Sequence, residues 1–173
     1  MAIIIFDLDH TVICSKHRQL TFSDGSLDLE HWLENCTPEK IAADSLLPLA
    51  DSMKRFYAEG HTIVVCTARS GECVNDKLFL ETKGLRYHYW LSRGDSQEEG
   101  DADLKVRLLS EFAISQGFAS IAAMRAVMFD DNVKVIQAMQ ANSITCFDAI
   151  SYNRQLARGK SISSHILRHR LAG

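Results

Sequence analysis

Residues 1–11 read MAIIIFDLDHT. Ile3 to Phe6 make a short, continuous apolar run, and Asp7 and Asp9 follow it with one leucine between them. A brief β-branched run bounded by polar residues reads as a strand covered on both faces. Carboxylates at the end of such a strand are costly to bury unless a cation or metal ion meets them. Their partner has to come from elsewhere in the chain.

Moving outward, strand and helix signals alternate. Residues 2–6 are the first strand, followed by a polar stretch over 7–25. A short helix is expected at 27–35, with Asp28 near its start, and a longer one at 45–59, ending at Gly60. HTIVVC at 61–66 is a second buried strand, 71–83 a helix stopped by Gly84, and 87–91 a third strand. SRGDSQEEGD at 92–101 is an acidic, glycine-punctuated loop before a helix at 104–116. A strand at 126–129, a helix at 133–141 and a strand at 144–147 complete the series. The pattern predicts an α/β, Rossmann-like three-layer sandwich around a five-stranded parallel sheet. The core is expected over residues 1–150, with a small flap inserted at about 14–48 and a basic C-terminal extension at 151–173. Ligands bind such sheets outside the carboxyl ends of the strands. Asp7 and Asp9 follow the first strand, Thr67 and Arg69 the second, and Asp130 and Asp131 the fourth. The opening aspartates therefore share one site with groups far away in sequence.

Bulk properties narrow the reading further. The chain has 173 residues, 46% hydrophobic and 24% charged, consistent with one folded domain. No apolar run approaches the roughly 18 residues of a membrane span. The start lacks the basic region and cleavage site of a secretion signal. The five cysteines (Cys14, Cys36, Cys66, Cys73, Cys146) are scattered without a C-x-x-C pair, so neither a zinc ribbon nor a disulfide framework is indicated and a cytoplasmic location is expected. A net charge of −3 does not advertise a polyanion partner. The exception is the stretch from 151 onward, where Arg154, Arg158, Lys160, Arg168 and Arg170 occur with no acid. It reads as a solvated basic helix or frayed tail, or as a nucleic-acid or partner contact.

Several carboxylates beside a hydroxyl and cations suit a hard, oxygen-preferring ion such as Mg²⁺, and that combination suits phosphoryl transfer. Each part is weak alone, since D-x-D and D-D pairs often cap helices and a helical lysine is usually solvated. Jointly the parts resemble a known superfamily. DLDHT (7–11) resembles the D-x-D-x-T signature of haloacid dehalogenase-like phosphatases. VVCTAR (64–69), DLKVRLL (103–109) and MFDDN (128–132) resemble the second, third and fourth motifs in order. The resemblance implies Asp7 as nucleophile and Asp9 as general acid and base. Thr67 and Lys105 would hold the phosphoryl group, and Asp7, Asp9, Asp130 and Asp131 would hold Mg²⁺.

Within that superfamily the chain resembles the phosphatase domain of phage polynucleotide kinase/phosphatase. The shared features are Arg18, T-A-R ending at Arg69, R-G-D at 93–95, and Asp101 four residues before Lys105. The resemblance implies that Arg18, Arg69, Arg93 and Asp101 bind substrate or order the site. His10 stands where glycine is usual, Ala68 replaces another glycine, and Gln97, Glu98 and Glu99 make the loop before Lys105 acidic. No G-x-x-x-x-G-K-S/T kinase motif occurs. The expected activity is a Mg²⁺-dependent phosphomonoesterase working through an aspartyl-phosphate on nucleotide or polynucleotide 3′-phosphate ends. A 5′-nucleotidase or small-metabolite phosphatase is the alternative. Trp32, Phe22 or His17 are candidates to stack on a base, against the plainer reading that Trp32 packs the short helix on the core. A receiver-like phospho-switch uses similar residues, but there the acidic pair comes first in the chain and an equivalent of Asp9 is lacking. A catalytically silent binding domain would have lost a catalytic position, and none is evidently missing.

Overall fold

The computed structural model describes residues 1–94 and 98–160. Its elements in chain order are β1 (Ile3–Phe6), β2 (Ile13–Cys14), α1 (Leu29–Glu34), α2 (Pro38–Ala42), β3 (Ser45–Leu46), α3 (Leu49–Ala58) and β4 (Thr62–Ser70). There follow α4 (Val74–Thr82), β5 (Tyr89–Arg93), α5 (Asp101–Ser115), β6 (Val127–Asp130), α6 (Val133–Ala141), β7 (Thr145–Asp148) and α7 (Ala149–Ala157). Five strands form one parallel sheet in the order β5-β4-β1-β6-β7, so the strand carrying D-x-D lies at its centre. This is the α/β architecture the strand–helix alternation predicts.

Both faces of the sheet are covered, and alternation along the strands divides the core in two. Ile4, Phe6, Ile63, Val65 and Phe129 pack beneath α3, α4 and α7. Ile5, Val64, Cys66, Met128 and Cys146 pack beneath α5 and α6. Phe6 and Phe129 stack at 5.3 Å, joining the two central strands under the site.

The insertion after β1 folds as a small flap. β2 and β3 pair antiparallel and close its base, and α1 and α2 form its body. Asp28 caps α1 by accepting a hydrogen bond from the His31 N–H, and Thr37 caps α2 ahead of Pro38. The helix expected over 45–59 starts only at Leu49, because Pro48 disfavours helical geometry in the residue before it, and Ser45–Leu46 pair with β2 instead.

The segment expected as a basic extension begins as α7, which belongs to the core. Tyr152 meets Phe129 and Phe147 at 5.3 and 5.0 Å, and Asn153 is buried. Arg154, Arg158 and Lys160 are exposed, and Arg168 and Arg170 lie outside the described residues, as do Asp95 and Gln97. Among the described residues no helix is long and apolar enough to cross a membrane.

Candidate active site

The centre of the sheet delivers Asp7 and Asp130 side by side. Asp7 follows β1, and its N–H donates to the Phe129 carbonyl at 3.0 Å, which continues the ladder to β6 past the last paired residue. Asp130 ends β6 with its side chain fully buried. Lys105, on the second turn of α5, reaches across from the helical layer. Its ammonium donates to Asp7 Oδ1 at 2.6 Å and to Asp130 Oδ2 at 2.7 Å. Asp130 Oδ1 accepts from the Asn132 N–H, and Asn132 in turn caps α6. Thr67 is buried beside this trio. The strand expected to stop at 66 runs on to Ser70, with its pairing to β5 shifted between Cys66 and Ser70. Such a bulge re-aims side chains, and here Thr67 Oγ1 accepts from the Arg69 N–H at 3.3 Å.

Two carboxylates share one ammonium in a desolvated place, and the charge states follow. Burial pushes the Asp7 carboxyl up to about 7, with Lys105 opposing and Asp130 and Asp9 adding to the rise. Burial raises Asp130 as well, against Lys105. Asp131, at the mouth beside them, is lifted to about 6 by burial and by the nearby Asp7 charge. Burial works against the Lys105 charge, but Asp7 and Asp130 outweigh it and hold the ammonium firmly protonated.

Asp9 faces the flap side of the loop. His10 after it adopts φ 55°, the left-handed conformation that glycine usually supplies and that histidine tolerates. The Arg69 guanidinium donates to both Asp9 oxygens at 2.9 and 2.8 Å, and the Ser15 hydroxyl donates to Oδ1. Burial alone would raise the Asp9 carboxyl, but Arg69 and Ser15 hold it below the ordinary range. Arg69 is anchored from behind by Asp76 at the start of α4. These groups open on a cleft of about 910 Å³, lined by Asp7, Asp9, Thr67, Arg69, Lys105 and Asp131 on the sheet side.

As they stand, no three acidic, histidine or cysteine side chains among the described residues gather closely enough to hold an ion. The donor set nevertheless fits a hard cation. Asp7, Asp130 and Asp131 supply oxygens only, and Asp7 and Asp130 meet at one ammonium in a buried place where burial raises the proton affinity of all three.

A family model described as bacteriophage T5 5′-deoxynucleotidase matches residues 1–172. The chain belongs to this family. Among curated proteins none matches the sequence. A chain of the Pnkp1/Rnl/Hen1 RNA repair complex superposes with TM-score 0.57 at 17% identity over 85% of this chain, which spans 42% of that one. The haloacid dehalogenase-like family protein SP0104 from Streptococcus pneumoniae gives 0.59 at 10% identity, covering 88% of this chain and 90% of that one. D,D-heptose 1.7-bisphosphate phosphatase from B. bronchiseptica, complexed with magnesium and phosphate, gives 0.51 at 13% identity, covering 92% and 100%. At these identities the likeness is one of fold, and it is the haloacid dehalogenase-like fold that the motifs imply. The family match and the fold thus point the same way, toward the site chemistry argued below.

In this deoxynucleotidase-family chain the expected substrate-binding residues part company. Arg93 and Asp101 line the cleft and bind one another at 3.0 Å, with Arg93 also donating to the Ala68 and Glu99 carbonyls. Arg18 is corrected to a buried position away from the cleft lining. Its guanidinium makes a bidentate pair with Asp44 at 3.0 and 2.9 Å and lies 4.2 Å from the Trp32 ring. That same stacking removes Trp32 as a base platform: it touches the cleft but is 8% exposed, its ring covered by Arg18. His17 is tied to the Lys40 carbonyl, and Phe22 is exposed outside the cleft lining. Sequence reading missed Ser15, Asp44, Asp76 and Asn153. None sits in a recognisable motif, and each is identified only by what lies beside it.

Proposed function

We propose that the chain hydrolyses the 5′-phosphate of deoxynucleoside monophosphates through an aspartyl-phosphate on Asp7, with Mg²⁺ held beside it. The observation that supports this most is the Lys105 ammonium bonded at once to Asp7 and Asp130 at the floor of the cleft. Asp7 Oδ2 forms a bond to phosphorus while the ester oxygen leaves with a proton from Asp9. Arrival of a phosphate dianion beside Asp9 raises its proton affinity, which equips it for this step. Asp9 then takes a proton from water, whose oxygen attacks the phosphorus of the aspartyl-phosphate. Orthophosphate is released and the Asp7 carboxylate is restored. Lys105 and Thr67 orient the equatorial oxygens and Arg69 holds Asp9 in place. The carboxylates of Asp7 and Asp130, with Asp131 and the Asp9 backbone carbonyl, would hold Mg²⁺, which supplies charge neutralisation on the phosphoryl group when bound.

The family description favours the 5′-nucleotide reading over the 3′-phosphate end implied by the polynucleotide phosphatase resemblance. Purified chain is to be assayed for phosphate release from a deoxynucleoside 5′-monophosphate and from 5′- and 3′-phosphorylated oligonucleotides, with EDTA controls. The mononucleotide is expected to be the best substrate, with activity lost in EDTA and restored by magnesium. Preference for the 3′-phosphorylated oligonucleotide, or full activity in EDTA, would overturn the reading.

A further inference from the structure

The cleft, at about 910 Å³, is far larger than one phosphoryl group needs, so most of it faces the rest of the substrate. On the flap side it is lined by Leu27, Leu29 and Leu33. These leucines are 40%, 61% and 57% exposed. A single surface leucine needs no explanation, but three bordering a cleft with buried carboxylates at its floor do. Leu29 and Leu33 are four residues apart on α1 and so share a face. The helix that presents them is held in place. Asp28 caps it, and Trp32, between the two leucines, packs on the Arg18 guanidinium that Asp44 locks.

The remaining rim has the opposite character. Glu98 and Glu99 line the cleft just ahead of α5. The cations that line it are each already bonded to a carboxylate: Arg69 to Asp9, Arg93 to Asp101 and Lys105 to Asp7. Beyond its floor the described lining offers aliphatic surface, neutral polar groups such as Gln19 and Thr21, and acidic side chains, and each arginine or lysine in it is already bonded to a carboxylate.

The geometry points to Leu27, Leu29 and Leu33 as the subsite for the uncharged nucleoside of a phosphate monoester, with Glu98 turning away further phosphates while its neighbour Glu99 is paired with Arg107. This rests on the phosphatase reading above and adds which part of the substrate the flap grips. Aliphatic contact that is equal in ground and transition states lowers KM and leaves kcat unchanged.

The test is steady-state kinetics of the full chain on a deoxynucleoside 5′-monophosphate, a 5′-phosphorylated dinucleotide and glycerol 2-phosphate, which lacks a nucleoside. For a Leu29→Ser/Leu33→Ser variant, kcat/KM on the mononucleotide should fall about tenfold or more, carried by KM, the scale set by one or two lost aliphatic contacts. Activity on glycerol 2-phosphate and inhibition by inorganic phosphate should stay as in the native chain. Competitive inhibition by the free deoxynucleoside should weaken in step. A Glu98→Lys variant should gain on the dinucleotide relative to the mononucleotide. Unchanged mononucleotide kinetics in the leucine variant, or an equal fall on glycerol 2-phosphate, would overturn the inference. Single Leu29→Ala and Leu33→Ala variants provide the same comparison if the double variant melts early. If the native chain hydrolyses glycerol 2-phosphate but no nucleotide, it is the mononucleotide reading that fails.

Discussion

Asp7 and Asp130 face a single ammonium at the buried floor of the cleft, where two carboxylates share one cation. Replacing Asp7 by Asn removes the oxygen proposed to attack phosphorus and one buried carboxyl together. Asp7→Asn should lose at least about 10³-fold in turnover. It should melt at or above the native temperature, since the repulsion with Asp130 is relieved. The pH dependence has a definite sign. Asp7 titrates at about 7 in the fold against 3.8 unfolded, so the folded chain binds the extra proton between those values. Its contribution to stability is complete below pH 3.8 and lost as pH rises through 7. Without metal, the melting temperature of Asp7→Asn relative to the native chain should therefore rise across that window, as followed by circular dichroism. A constant difference would contradict the raised proton affinity. Asp9→Asn acts on a different quantity. It should cut kcat by about 10² to 10⁴ while the inhibition constant for phosphate changes little, because proton transfer belongs to the transition state.

At the scale of elements, α7 and the flap decide whether the D-x-D loop is held. Asn153 donates from one side-chain nitrogen to the Thr11 carbonyl at 2.9 Å and to the His10 carbonyl at 3.4 Å. It accepts from the Leu49 N–H at 2.8 Å. One side chain of α7 thus ties the loop after Asp9 to the start of α3. Asn153→Ala leaves these buried groups unpartnered and should cost about 2 kcal/mol in chemical denaturation, with a fall in kcat that Asn153→Gln does not fully repair. Unaltered stability would show that water replaces the side chain. The flap is a second such device. Arg18–Asp44 and Arg69–Asp9 are charged pairs whose guanidinium planes both lie near Trp32, at 4.2 and 5.4 Å, so flap position and Asp9 position are fixed together.

For the whole molecule, the sheet is a frame that brings Asp7 and Asp130 together at the carboxyl ends of its strands, and an ion held there as proposed would join strands β1 and β6. Anything that binds only the folded chain raises its stability. Magnesium at a hundredfold excess over its Kd should add about 2.7 kcal/mol, visible as a rise in melting temperature that EDTA reverses. The rise should be absent in Asp130→Asn, and its persistence there would move the ion elsewhere. The parallel sheet and, with the motif resemblance, the meeting of Asp7, Thr67, Lys105 and Asp130 were legible in the chain. Continuous apolar runs such as residues 2–6 and 61–66 have few ways to be buried, and strand ends then dictate where their following residues go. The docking of the helix at 149–157 on the core was not legible, because its basic surface hides the apolar contacts of Tyr152 and Leu156, which exist only against Phe129 and the rest of that core. Nor could Arg18 be told apart from Arg69. Both are arginines in motif-like positions, yet one is closed off by Asp44, 26 residues away, and the other holds Asp9 across 60. Local hydrophobic pattern determined the architecture and brought the residues after each strand to one end of the sheet, while Lys105 and the roles of the reacting groups came from the motif resemblance, since burial period and turn chemistry act over a few residues. Tertiary structure alone decided which charges pair, which aromatic ring is covered and which leucines line the cleft, because those outcomes depend on distances between segments that no local pattern encodes.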